Sequence, residues 1–201
     1  MSLFHIEQLS SQDILEVSAI HMAELPNDFL PSLGKEFLDT VFYPSVIQSE
    51  HADVFVAKDA GQVVGFAVIT LESGKFLASM ILRRAWKFFL TGLRYSMSGV
   101  NHLKKSFEIL TASLHSDRFS SFGEIYVIAV RKDKQGLGAG KALVSEAIHY
   151  LKKNGSGGIR IKTLKKNEAW IHFFLSRGWD LVDEFNLIQN EYVVLALKFS
   201  D

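Results

Sequence analysis

Residues 127–143 read Val-Ile-Ala-Val-Arg-Lys-Asp-Lys-Gln-Gly-Leu-Gly-Ala-Gly-Lys-Ala-Leu, an apolar run that passes through a glycine-rich loop into residues with helical spacing. No other feature narrows the fold as much. A buried strand must lead directly into a helix here. Glycines at the junction let main-chain amides approach an anion without an intervening side chain, and the helix N-terminus adds partial positive charge. Such a loop is built to cradle a pyrophosphate. Residues 138–153 read as the helix and residues 159–164 as the next strand, so the centre of the chain is a β-α-β unit.

The remaining segments build around that unit. Residues 4–9 alternate apolar and polar, as a strand does, and Ser10-Ser11-Gln12-Asp13 offers cap residues ahead of Ile14, Leu15, Val17, Ile20 and Leu25 at helical spacing. Pro26 and Pro31 bracket a loop before a second helical pattern from Ser32 to about Tyr43. Residues 53–58 and 62–71 are rich in Val, Ile and Phe around Asp59-Ala60-Gly61, which predicts an antiparallel hairpin. Residues 123–130 form a strong strand pattern, 167–177 a short helix, and 179–185 and 192–199 two more strands. The class is mixed α/β. With 201 residues, 48% of them apolar, and no repeat or linker, the expectation is one domain over 1–201.

Residues 74–121 stand apart. Residues 76–97 are aromatic and aliphatic, but Arg83, Arg84, Lys87 and Arg94 interrupt them too often for a membrane span, so they predict an amphipathic helical insertion. From Lys75 to Lys105 the basic residues are Lys75, Arg83, Arg84, Lys87, Arg94, Lys104 and Lys105, and none is acidic. The overall balance of 22 basic and 22 acidic residues therefore conceals a segregated distribution. That balance removes the electrostatic footprint of a general nucleic-acid binder. With no cysteine, disulfides, thiolate nucleophiles and cysteine-ligated metals are excluded, and seven histidines without a His-x-x-x-His pair predict no metal site. The N-terminal residues lack a basic region followed by a long apolar run, which makes a cytoplasmic location the expectation.

Spacing decides between nucleotide loops. A Walker loop needs four residues between its first glycine and Gly-Lys, then Ser or Thr; here three lie between Gly136 and Gly140, and Ala142 follows Lys141. A dinucleotide loop needs a third glycine where Lys141 stands, and an acid beyond the next strand, where residues 160–166 have none. Gln135-x-x-Gly138-x-Gly140 after an apolar strand instead resembles the acetyl-coenzyme A signature of the GNAT superfamily of N-acetyltransferases. The stretch from Asn167 through Trp170, Phe173 and Phe174 to Gly178-Trp179 resembles that family's second motif, an Asn-led helix with paired aromatics ending in Gly-aromatic. The element order resembles the family fold over nearly the whole chain, residues 74–121 excepted.

The resemblance implies a mixed, mostly antiparallel central sheet flanked by helices, with the helical insertion between the third and fourth strands. It implies acetyl-CoA as co-substrate, its pantetheine arm along Ile128, Ala129 and Val130. The amides of Gln135, Gly136, Leu137, Gly138, Ala139, Gly140 and Lys141 would hold the pyrophosphate, and Asn167 and Phe174 complete the site. Asn167 reads equally as a helix cap, and Lys132, Lys134 and Lys141 read equally as a solvated loop. With no cysteine to carry an acyl group, the acceptor amine attacks the thioester directly, after losing a proton. Glu124 is the candidate base, expected to share one strand face with Tyr126 and Ile128; an exposed strand-end carboxylate is the alternative. Phe174 stands where many relatives carry a proton-donating tyrosine, and Tyr126 or water is the substitute.

The acceptor is expected to be the primary amine of a small molecule. Leu30-Pro31-Ser32-Leu33-Gly34-Lys35-Glu36-Phe37-Leu38 and the basic insertion resemble a bacterial subgroup associated with surface-polysaccharide synthesis, which implies a nucleotide-linked amino sugar. A polyamine, a protein N-terminus, a non-catalytic acyl-CoA-binding module and peripheral contact with a membrane surface stay open, as do a monomer and a homodimer.

Overall fold

The computed structural model of the chain describes residues 4–26, 28–80, 82, 119, 121–187 and 190–200. Among the described residues seven strands form one sheet: β1 (His5–Gln8), β2 (Ala52–Asp59), β3 (Gln62–Thr70), β4 (Gly123–Val130), β5 (Gly158–Leu164), β6 (Asp180–Leu187) and β7 (Asn190–Lys198). Their order is β1-β2-β3-β4-β5-β7-β6. Every pairing is antiparallel except β4 with β5, which a helix connects and which therefore run parallel. The expected β2–β3 hairpin turns on Ala60 and Gly61.

Helices cover both faces. One face carries α1 (Ile14–Glu24), α2 (Phe29–Ser32), α3 (Lys35–Phe37), α4 (Tyr43–Ile47) and, over residues 73–80, α5. Val17, Phe37, Phe42, Tyr43, Phe66 and Phe76 are buried between them and the sheet. The other face carries α6 (Ala139–Lys153) and α7 (Glu168–Leu175), over Leu143, Leu151, Phe174 and Trp179. Periodicity suits α6, whose Leu143, Val144, Ala147 and Leu151 recur on one side and are buried.

The helical pattern expected from Ser32 to Tyr43 is broken into pieces. Between α3 and α4 the chain makes a π-helical turn, Leu38–Phe42, in which the Tyr43 amide reaches back to the Leu38 carbonyl. Pro44 explains the widening, because it has no N–H to offer the Thr40 carbonyl. Of the expected insertion, residues 74–80 and 82 are helical. Residues 81, 83–118 and 120, which include Arg83, Arg84, Trp86, Lys87, Phe88, Phe89, Arg94, Lys104 and Lys105, lie outside the described residues.

Candidate active site

The site begins with a flaw in β4. Val127 lies across from Val68 and Ile125 across from Ile69, so the register shifts by one residue and Tyr126 is the extra residue of β4. Such a bulge bends the strand that carries it. On its other edge β4 pairs with β5 only at Gly123–Ile159, Glu124–Arg160 and Ile125–Ile161. Past that point Lys162, Thr163 and Leu164 pair with β7 alone, and β4 runs on beside β3. The two parallel strands part, leaving a gap from Tyr126 to Val130.

Hydrogen-bond alternation assigns the edges of that gap. The Arg131 amide donates to Val64 O at 2.9 Å, so Ala129 also turns its amide and carbonyl toward β3, and Ile128 and Val130 turn theirs toward the gap. Gln135 Nε2 donates to Val130 O at 2.9 Å from that side. Of the three residues expected along the pantetheine arm, Ile128 and Val130 thus line the gap with main chain, whereas Ala129 bonds β3 and buries its methyl with α1. The expected common face for Glu124, Tyr126 and Ile128 also fails. The bulge places Tyr126 and Val127 both against the α1 face, and Ile128 packs on the α6 face.

At the end of the gap, a short 3-10 turn, Lys132–Lys134, leads into the glycine loop. Gly136 and Gly138 take φ of 76° and 100°, which side chains rarely adopt, and a Cβ on either would meet nothing within 4 Å. The first bond inside α6 runs from the Ala142 amide to Gly138 O, so the amides of Ala139, Gly140 and Lys141 are the unpaired first turn of a 15-residue helix. Open space before positive-φ glycines and orphan amides is what a diphosphate requires, and this loop fits the pyrophosphate of acetyl-CoA. Leu137 and Lys141 are exposed beside it. Lys134 is engaged elsewhere, paired with Asp59 at 2.8 Å.

The second motif packs against this loop. A Cβ on Gly140 would lie 3.6 Å from the Trp170 ring. Phe174 is fully buried, stacked on Trp170 and tilted against Trp179 at 4.6 Å between centroids. Asn167 precedes α7 without capping it through its side chain, and its Nδ2 donates to Thr163 Oγ1 on β5 at 3.1 Å.

Glu124, read from sequence as either a base or an exposed carboxylate, is 4% exposed. Its Oε2 accepts from Ser73 Oγ at 2.7 Å and from Arg160 Nη2 at 3.1 Å, and Lys162 Nζ is 3.8 Å away. Arg160 Nη1 reaches Phe119 O at 3.3 Å. Breaking such a buried pair from one side costs about 3–5 kcal/mol. These partners went unseen in the sequence because they come from β5 and from either end of the insertion. Tyr126, half-buried, meets the edge of the Phe76 ring with centroids 5.8 Å apart.

A groove of about 620 Å³ lies between α1 and the Arg131–Asp133 turn. Two of its carboxylates serve the fold: Glu16 accepts from the Val63 amide and Glu24 from the Lys132 amide, each at 2.9 Å. Among the described residues no helix is long and apolar enough to cross a membrane.

The model of the Acetyltransferase (GNAT) family matches residues 16–179, taking in both motifs and the parted strands. The chain belongs to this family. GNAT enzymes use acetyl-CoA as co-substrate, and the loop described above fits it. Mycothiol acetyltransferase of Rhodococcus jostii (strain RHA1) is 33% identical over 60 residues, 30% of this GNAT chain and 20% of that protein, so the match spans about a fifth of the curated relative's length. An N-acetyltransferase from Staphylococcus aureus Mu50 superposes with a TM-score of 0.63 at 15% identity, over 97% of this chain and 98% of that one. An acetyltransferase from Bacillus anthracis str. Ames, solved in complex with acetyl coenzyme A, gives 0.53 at 17% identity over 79% of this chain and 69% of that one. At these identities the likeness to both structures is one of fold.

Proposed function

We propose that the chain acts as one N-acetyltransferase domain, moving an acetyl group from acetyl-CoA to the primary amine of a small molecule. The observation that supports this most is the gap between β4 and β5, edged by the main chain of Ile128 and Val130 and closed by the glycine loop. Acetyl-CoA supplies an acetyl thioester, whose carbonyl carbon the amine nitrogen attacks; a C–N bond forms, the C–S bond breaks, and coenzyme A departs as its thiolate.

The chain's residues serve the ends of that exchange. Ile128 and Val130 pair with the pantetheine arm, and the amides from Gln135 to Lys141 hold the pyrophosphate. Trp170, with Phe174 packed beneath it, backs the loop at Gly140. Asn167 holds the start of α7 to β5 through Thr163. Glu124 takes the proton that the amine must lose, through a water, because its carboxylate is buried. Tyr126 protonates the departing thiolate. With thiols near a pKa of about 8.5, that leaving group tolerates a weak acid, so phenylalanine at 174 is compatible with turnover.

For the acceptor, the seven basic residues from Lys75 to Lys105, without an acid, favour an anionic molecule, and a nucleotide-linked amino sugar fits that chemistry. The test is incubation with acetyl-CoA and a panel of nucleotide-linked amino sugars, free amino sugars, polyamines and peptides, following free thiol. Release is expected to be fastest with the nucleotide-linked sugar. Coenzyme binding without thiol release for any amine would instead identify an acyl-CoA-binding module.

A further inference from the structure

The Glu124 carboxylate is held by neighbours from three elements. Glu124 lies across from Thr70 on β3 and Arg160 on β5 in the two ladders, and its carboxylate is bonded by Arg160 and by Ser73, which reaches it from the first turn of α5; Thr70 acts through Ser73. Ser73 is 5% exposed, and its Oγ lies 2.8 Å from Thr70 Oγ1 and 2.7 Å from Glu124 Oε2. A serine hydroxyl has one proton to give. Since the carboxylate takes it, the Thr70 hydroxyl must donate to Ser73, and the chain of bonds runs one way, from Thr70 to Ser73 to Glu124. The Arg160 guanidinium donates to the same Oε2, so two donors from different directions restrain rotation of the carboxylate. One helical turn beyond Ser73, Phe76 rests on Tyr126, so the start of α5 supports both candidate proton-transfer groups.

We propose that Ser73, backed by Thr70 and opposed by Arg160, fixes the orientation from which Glu124 accepts the acceptor's proton, and is a positioning residue for acetyl transfer. The inference rests on the role given to Glu124 above. Nothing near Ser73 in the sequence announces it, because the serine matters only where α5 meets β4.

The test is a double-mutant cycle on the full chain with the best amine of the panel. Ser73→Ala should lower kcat about tenfold, while the KM and calorimetric Kd for acetyl-CoA stay within about twofold of the parent. In the Glu124→Gln background the same substitution should cost less than about twofold, because the orientation it supports no longer matters. Thr70→Val, which removes the backing donor from another element, should lower kcat about threefold, also only when Glu124 is present, and this decides the matter if Ser73→Ala fails to fold. A full additional loss from Ser73→Ala in the Glu124→Gln background, or no loss when Glu124→Gln alone lowers kcat, would overturn the proposal. An unchanged kcat in Glu124→Gln itself would overturn the base assignment on which it rests.

Discussion

His21 carries a titratable group into the core with no chemistry asked of it. It is fully buried among Phe42, Tyr43 and Phe66, and burial pushes its imidazole down to about 3. Burial raises the Tyr43 hydroxyl, so Tyr43 keeps its proton, and its oxygen lies in hydrogen-bond contact with His21 Nδ1 at 2.8 Å. The unfolded imidazole titrates at about 6.5. Between that pH and about 3 the unfolded chain binds a proton that the folded chain refuses, so stability is lost as pH falls through this window. From pH 7 to pH 5 the loss should reach about 2 kcal/mol. His21→Gln keeps an acceptor for Tyr43 but cannot titrate, so its calorimetric stability should fall less over the same interval; equal slopes would contradict the assignment. The sequence places both His21 and Glu124 on correct elements, yet shows neither environment. Glu124's partners Ser73 and Arg160 stand 51 and 36 residues away, beyond the reach of any local pattern.

At the scale of elements, legibility follows the range of the forces involved. The glycine loop is local physics: positive φ and a helix start are written in adjacent residues, and residues 135–141 take the form their spacing predicts. The bulge at Tyr126 is not local, since it exists only in the register between β3 and β4, and strict alternation therefore puts Ile128 on the wrong face and leaves Ala129 undistinguished from its neighbours. The loop yields a direct prediction. Gly138→Asp would force a side chain into φ near 100° and set an anion beside the orphan amides, so acetyl-CoA affinity should fall at least about tenfold by calorimetry. Gly136→Asp should behave alike. Gly155→Asp, at an equally positive φ of 76° but in the turn after α6, should strain the chain without changing coenzyme affinity, which separates backbone cost from site loss.

The whole molecule is less continuous than a seven-stranded sheet suggests. β1 to β4 form one ribbon and β5, β7 and β6 another, and three residue pairs join them, helped by α6 on one face and the Glu124–Arg160 ion pair within. A seam that short has few hydrogen bonds to lose, so the protein should breathe along it. Amides in the two ribbons are expected to exchange with solvent deuterium as two cooperative blocks, those of Ile128 and Val130 faster than the neighbouring Ala129, which is paired to β3. Acetyl-CoA seated in the gap would act as an eighth strand and stitch the ribbons together, slowing exchange in both blocks at once.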